Sequence, residues 1–253
     1  MIDIYITIGG NLFIFAIFGW AVSLITKNVT HVDSMWSIFF VIAYITAMQE
    51  MRILSYQNIA VLFLVMIWSA RLTVYLSIRN FGSKEDIRYQ EIRSNNEPNF
   101  KFKSLYIIFI FQAILAMIIS LPLIALATSS HPYGMLDMVG LGIVIFGILY
   151  ETIADYQLKQ FVKGNHKGVL DTGLWRHSRH PNYFGEFLVW WGFYIVSFGS
   201  GHLIAIFSPI LMTWLLLKFS GIGRMESTIS GRRPGYKIYA QQTSSFIPWP
   251  RKK

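Results

Sequence analysis

The residues most able to do chemistry lie in one stretch, GLWRHSRHPNYFGEFLVWW, residues 173–191, where two arginines, two histidines, an asparagine and a glutamate abut an aromatic, apolar run. Pro181 suits the first turn of a helix, because the N–H it lacks is one that a helix start leaves unpaired anyway. A helix beginning near His180 aims its free N–H groups and the positive end of its dipole at Arg176 and Arg179, an arrangement that binds phosphate. Asn182, Tyr183 and Glu186 follow within the next turn or so, and Arg179, Tyr183 and Glu186 are spaced to share a face. Such donors and acceptors suit a ligand larger than phosphate, one carrying a ribose or a carboxamide. His177 and His180 have a spacing that a metal ion can use, but the neighbouring arginines repel a cation and the chain has no cysteine, so no metal is expected.

Other polar groups stand among apolar ones. Arg71, in MIWSARLTVYLSIRN, costs at least about 2.5 kcal/mol at mid-membrane unless it faces a cavity or partner, or snorkels toward the end marked by Arg79. Asp33, in THVDSMWS, has two open roles: the cap of a helix starting at Ser34, or a carboxyl in a desolvated mouth that holds a proton for donation. Residues 82–93, GSKEDIRYQEIR, bring Glu85, Asp86, Tyr89 and Arg93 near Arg88 on a short amphipathic segment, a mixture that usually means a solvated face. Glu151, Asp155 and Lys159 fall at i, i+4 and i+8 on one helical face. They read either as an interfacial Asp155–Lys159 pair or as carboxylates in need of an interior partner. Just upstream, Gly140, Gly142 and Gly147 let another backbone approach closely. The tail carries Glu226, Arg232, Arg233, Tyr236 and Tyr239 before it turns apolar and aromatic at 246–249. That is the pattern of a chain folded back on a membrane surface, or of a cap over an anionic cofactor.

The elements that must position these residues are membrane spans. Of 253 residues, 54% are hydrophobic, 16% aromatic and only 14% charged, too apolar for a soluble protein of this size. Apolar runs at 4–26, 58–78 and 105–127 each match the about 20 residues that cross a bilayer. Shorter runs at 34–48, 138–154, 184–198 and 203–219 bring the expected count to seven. The first run has no basic leader or cleavage site and is read as a retained helix. Pro122 and Pro209 fall inside spans and are expected to kink them. In a seven-span chain all but two of the 22 lysines and arginines lie on one side; only Arg52 lies opposite, and Arg71 lies within a span. That asymmetry predicts an outside N-terminus, a cytoplasmic C-terminus and chemistry on the cytoplasmic face, against anionic lipid headgroups. The net charge of +9 is thus assigned to topology, and no nucleic-acid partner is expected. No repeat or linker divides the chain, so the expected architecture is all-α, one integral-membrane domain over residues 1–253. The missing cysteines exclude disulfides and catalytic thiols.

Taken together, VDSMW, EDIRYQEIR, ETIADYQLKQF, GLWRHSRHPNYFGE and RRPGYKIYAQQTSSFIPW resemble, in order and spacing, the steroid 5-alpha-reductase family, especially its bacterial relatives of unassigned substrate. The resemblance covers most of the chain, and the Asn-Tyr-Phe-Gly-Glu element is its most specific part. It implies a seven-helix reductase of a bacterial inner membrane that binds NADPH from the cytoplasm and reduces the carbon–carbon double bond of a lipophilic enone drawn from the bilayer. By that resemblance Asp155, Asn182 and Glu186 contact the dinucleotide, with Arg71, Arg176 and Arg179 at its phosphates. Arg88, Lys159, His180, Tyr183, Arg233, Tyr236 and Tyr239 complete the expected cofactor surface. The chain departs from the steroid enzymes in the second and third spans, where no clear Gln-Glu pair is found and Trp68 stands about where a tyrosine is expected. Asp33, helped by Tyr89, is the substitute acid. Arg-His-Pro-x-Tyr is also similar to related membrane methyltransferases that use S-adenosylmethionine, but those carry a paired glutamate near the tail where this chain has Glu226 alone.

Overall fold

The computed structural model describes residues 2–52, 55–129, 132–164, 168–219, 226 and 233–252. Lys167, Arg224, Arg232 and Lys253, four of the residues behind the expected orientation, lie outside the described residues. Among the described residues all regular structure is helical. Among the described residues five helices are long and apolar enough to cross a membrane, where the sequence led us to expect seven spans. The chain forms two compact units, Met1–Tyr133 and Gly134–Lys253.

The first unit contains α1 (Ile2–Thr26), α2 (His31–Met51), α3 (Tyr56–Asn80), α4 (Ile87–Ser94), α5 (Phe100–Ile119) and α6 (Leu121–Ala127). α2 is its centre, packed against α1, α3, α5 and α6. Phe39, Phe40 and Tyr44 of α2 are fully buried, and Trp68 of α3 meets Phe40 edge-on at 5.5 Å. Lipid gives helices little hydrophobic reason to associate, so small polar groups supply part of the adhesion, at about 0.6 kcal/mol each. Ser37 Oγ donates to the Ser69 carbonyl at 3.1 Å, Thr73 Oγ1 to the Ser34 carbonyl at 3.1 Å, and Asn11 Nδ2 to Thr46 Oγ1 at 3.0 Å. Ile6, Ile14 and Phe18 on α1 and Phe63 and Met66 on α3 stay exposed, as lipid-facing residues do. Pro122 does more than kink its span: α5 ends at Ile119 and α6 restarts at Leu121 with Pro122 in its first turn. Asp33 is not the cap of α2. The helix starts earlier, with Thr30 at the cap position and Asp33 in the first turn, so its carboxylate is released for other partners.

The second unit contains α7 (Met135–Lys163), α8 (Pro181–Gly199), α9 (Leu203–Lys218) and α10 (Tyr236–Gln242). α7 and α8 lie antiparallel and almost in backbone contact. A Cβ placed on Gly140 would sit 2.8 Å from the Gly192 carbonyl oxygen, one on Gly147 2.8 Å from that of Gly185, and one on Gly185 2.7 Å from the Glu151 nitrogen. Two of the three glycines expected to allow close approach do so. Gly142 does not, because nothing lies within 4 Å of where its Cβ would be. In α9, Pro209 sits in the first turn after a 3-10 start, where no intrahelical bond is lost to it.

Candidate functional site

In the first unit, the segment around α4 is clamped onto the turn between α1 and α2. Glu85 Oε1 accepts the Val29 N–H at 3.0 Å, Thr30 Oγ1 accepts the Asp86 N–H at 2.9 Å, and Arg93 holds both Glu85 oxygens at 2.8 Å. At the centre lies Asp33. Its Oδ2 receives Arg88 Nη2 at 2.7 Å, and its Oδ1 receives the Tyr89 hydroxyl at 2.6 Å. Asp86, the cap of α4, takes Arg88 from the other side, at 2.9 Å. Gln112 Nε2 of α5 donates to the Tyr89 oxygen at 3.3 Å, while its own Oε1 is buried without a partner.

The electrostatics follow from this arrangement. Burial opposes charge on Arg88, but the carboxylates of Asp33 and Asp86 outweigh it and raise its pKa. Burial, and then the Asp33 charge, push the Tyr89 phenol well above its ordinary value, so it keeps its proton. Burial works against ionised Glu85 and Asp86 too, but their arginine partners and backbone donors hold both below the usual carboxylate range. The expected solvated face is therefore a structured clamp. Arg71 is half-buried on α3, with Nε and Nη2 shielded from solvent. Trp68 is core, and α2 does carry Gln49 and Glu50, but exposed in its last turn, about 25 Å along the helix from Asp33.

In the second unit the glycine contact sets Glu151 and Asp155 of α7 beside the first turns of α8. Asp155 Oδ1 accepts from Asn182 Nδ2 at 3.2 Å, and Glu186 Oε1 accepts the Trp190 indole N–H at 3.0 Å. Glu151, Asp155 and Glu186 are 5%, 4% and 6% exposed, three carboxylates that a packed interior admits only with partners. The helix does start as the proline implies, with His180 at the cap position and Pro181 first. Arg176 and Lys159 are exposed; Arg233 lies over the Phe161 ring at 6.0 Å.

Arg179 and His180 meet Glu226, the acidic member of the tail's polar set. Glu226 Oε1 lies 2.9 Å from Arg179 Nε, an ion pair off hydrogen-bond alignment, and 3.2 Å from His180 Nε2. Tyr236 also hydrogen-bonds it. Burial resists the Glu226 charge, but His180 and Arg179 pull its pKa down; burial and the Glu226 charge push the Tyr236 phenol up to about 12. His180 stacks on Tyr183 at 5.5 Å. The tail does fold back: Arg179 Nη1 donates to the Ala240 carbonyl at 2.6 Å, Ser178 Oγ to the Phe246 carbonyl at 2.7 Å, and the buried Tyr239 hydroxyl to the Trp175 carbonyl.

Helices of this length and apolarity, with carboxylates buried at their ends, define a helical membrane-embedded protein of all-α class. The chain belongs to the family described as protein of unknown function (DUF1295), whose sequence model matches residues 19–243, and that family is related to steroid 5-alpha-reductase-like proteins. An uncharacterized protein of Schizosaccharomyces pombe is similar to it, 29% identical over an alignment of 271 positions that covers 90% of this chain and 75% of the yeast protein. No solved structure matches.

Proposed function

We propose that the protein is an NADPH-dependent membrane reductase of a carbon–carbon double bond in a lipophilic enone, with seven spans, an outside N-terminus and its site open to the cytoplasm. The observation that carries this reading is the polar set at the start of α8, where Asn182 is hydrogen-bonded to buried Asp155 one turn from buried Glu186. The relation of the family to steroid 5-alpha-reductase-like proteins supports it. Buried carboxylate oxygens beside a side-chain amide are acceptors and donors for ribose hydroxyls and a carboxamide, so the residues present fit a nicotinamide riboside moiety. Arg176, exposed nearby, is a cation for its phosphates. NADPH, when bound, supplies the hydride; the protein's part is orientation, exclusion of water and control of a proton. Asp155 fixes the amide of Asn182, and Glu186 is held by Trp190. Gln112 donates to the Tyr89 oxygen and Asp33 holds the phenol proton; turned from Asp33 to a substrate carbonyl, that same O–H would be the donor that polarises the enone.

Thermal unfolding of the purified protein tests the reading, since a ligand that binds only the folded state raises its stability by mass action. NADPH should raise Tm, S-adenosylmethionine should not, and Asn182→Ala should remove the NADPH response while the protein stays folded. A rise with S-adenosylmethionine alone would replace the reductase by a methyltransferase, and no response to any nucleotide would end the enzyme reading.

A further inference from the structure

The turn that leads into α8 is held from two sides, and its residues divide into buried anchors and an exposed tip. Gly173 opens it at a φ of +59°, and the 3-10 turn Gly173–Arg176 follows. From α7, the Gln157 side chain accepts the Leu174 N–H and the Ala154 carbonyl accepts the Trp175 indole N–H, each at 3.0 Å. From the other side comes the tail. The Tyr239 hydroxyl donates to the Trp175 carbonyl and lies 3.4 Å from that of Ser178. The Trp249 N–H donates to the His177 carbonyl at 2.9 Å, and Ser178 Oγ donates to the Phe246 carbonyl at 2.7 Å. Trp175 and Ser178, which carry most of these bonds, are 9% and 0% exposed.

Arg176 and His177 stand between those anchors, and both are exposed. Among the described residues neither side chain has a hydrogen bond or ion pair, whereas Arg179 is spent on Glu226 and the Ala240 carbonyl. The tail therefore fixes the backbone of a dipeptide whose side chains it does not use. Ordering an exposed turn costs conformational entropy. A ligand that meets a turn already ordered avoids that cost, which is how preorganisation raises affinity. Tyr239 is the joint best placed to do this, because one hydroxyl reaches carbonyls on both sides of the pair. It is 4% exposed and its hydroxyl is taken by the chain, so it acts on a ligand only through the turn. Burial pushes its phenol well above the ordinary tyrosine value, so the hydroxyl remains a donor.

We propose that Tyr239 is a positioning residue of the nucleotide site, stapling the turn so that Arg176 is held ready for the phosphates of NADPH. The inference rests on the reductase reading, and two measurements on the full chain in detergent separate the two. The first needs no nucleotide. In this cysteine-free chain a nitroxide on His177→Cys reports the motion of the turn, and Tyr239→Phe, which removes only the hydroxyl, should narrow the lines of its electron paramagnetic resonance spectrum. The second is NADPH affinity, read well below Tm. Tyr239→Phe should raise Kd for NADPH roughly tenfold. Arg176→Ala should raise it as well, and adding Tyr239→Phe to Arg176→Ala should change little, because the hydroxyl acts through the side chain already removed. Deletion of residues 249–253, which takes away the Trp249 bond to His177, is a second variant and should move spectrum and Kd in the same direction. A tyrosine that only stabilises the fold would lower Tm and leave Kd unchanged. That result, an unchanged spectrum, or a full effect of Tyr239→Phe in the Arg176→Ala background would overturn the proposal while NADPH binding by the unaltered protein stands. No binding of NADPH by the unaltered protein would remove the reductase reading and this inference with it.

Discussion

Glu85 shows how one side chain decides whether a loop is ordered. Its two oxygens are filled by Arg93 and by the Val29 N–H, and that set, though opposed by burial, keeps its pKa below the usual value. A carboxylate with a depressed folded pKa adds stability that is fully present above its unfolded value of 4.5 and is lost as pH falls through the folded value. Asp86 acts in the same direction from its unfolded value of 3.8. Hydrogen exchange at Val29 and Tyr89 should therefore be slow and level from pH 7 to 5, after correction for intrinsic rates, and should lose protection below about pH 4.5. Glu85→Gln should bring the loss to neutral pH, at about 1–2 kcal/mol. Protection unchanged in that variant would show that the clamp does not hold the loop. The grouping of Glu85 and Asp86 with Arg88 and Arg93 was legible in the sequence, and the structure pairs them, but the partners outside the segment were not, because they are remote. Asp33 lies 55 residues from Arg88 and Glu85 lies 56 from Val29, so local spacing showed only a mixed-charge segment. Of the two roles open to Asp33, the cap position belongs to Thr30.

At the scale of elements, the antiparallel α7–α8 contact explains why carboxylates can be carried to the start of α8 at all. Without side chains at Gly140, Gly147, Gly185 and Gly192 the two backbones come close enough for Glu151 and Asp155 to lie against the first turns of α8. Half of this was readable. Gly140 and Gly147 stand seven residues apart on one helical face and were recognised as a close-approach surface. Gly142 was included wrongly, since two residues along a helix turn about 200° away, toward the open side. Gly185 and Gly192 went unnoticed inside an aromatic run, where their own spacing of seven is the signal that would have found them. The pairing makes a signed prediction. Gly185→Ala and Gly192→Ala must push backbone apart and should destabilise by about 1–3 kcal/mol, despite the better helix propensity of alanine. Gly142→Ala meets nothing and should be neutral or stabilising by up to about 1 kcal/mol. Thermal unfolding of the three variants in one detergent measures it; equal effects at Gly142 and Gly185 would refute the contact.

For the whole molecule the open question of architecture is whether α8 and α9 cross the bilayer. Among the described residues five helices meet length and apolarity together, and α9 is shorter. α8 has 19 residues, about 28 Å of helix, close to the roughly 30 Å of a hydrocarbon core. Its polar first turns dilute the apolar signal, and its length was legible mainly through Pro181. α8 runs antiparallel beside α7 from Gly185 to Val196, the arrangement that two successive spans would have. The absence of cysteine makes the chain a ready background for site-directed labelling. With seven spans and an outside N-terminus, Tyr133→Cys and Ser200→Cys should react with a membrane-impermeant maleimide in intact cells, whereas Ser83→Cys and Lys237→Cys should react only after lysis. If Ser200→Cys instead behaves like Lys237→Cys, neither α8 nor α9 crosses and the count is five. If all four sites exchange behaviour, the orientation read from the lysines and arginines is inverted, and with it the assignment of the α8 start to the cytoplasmic face.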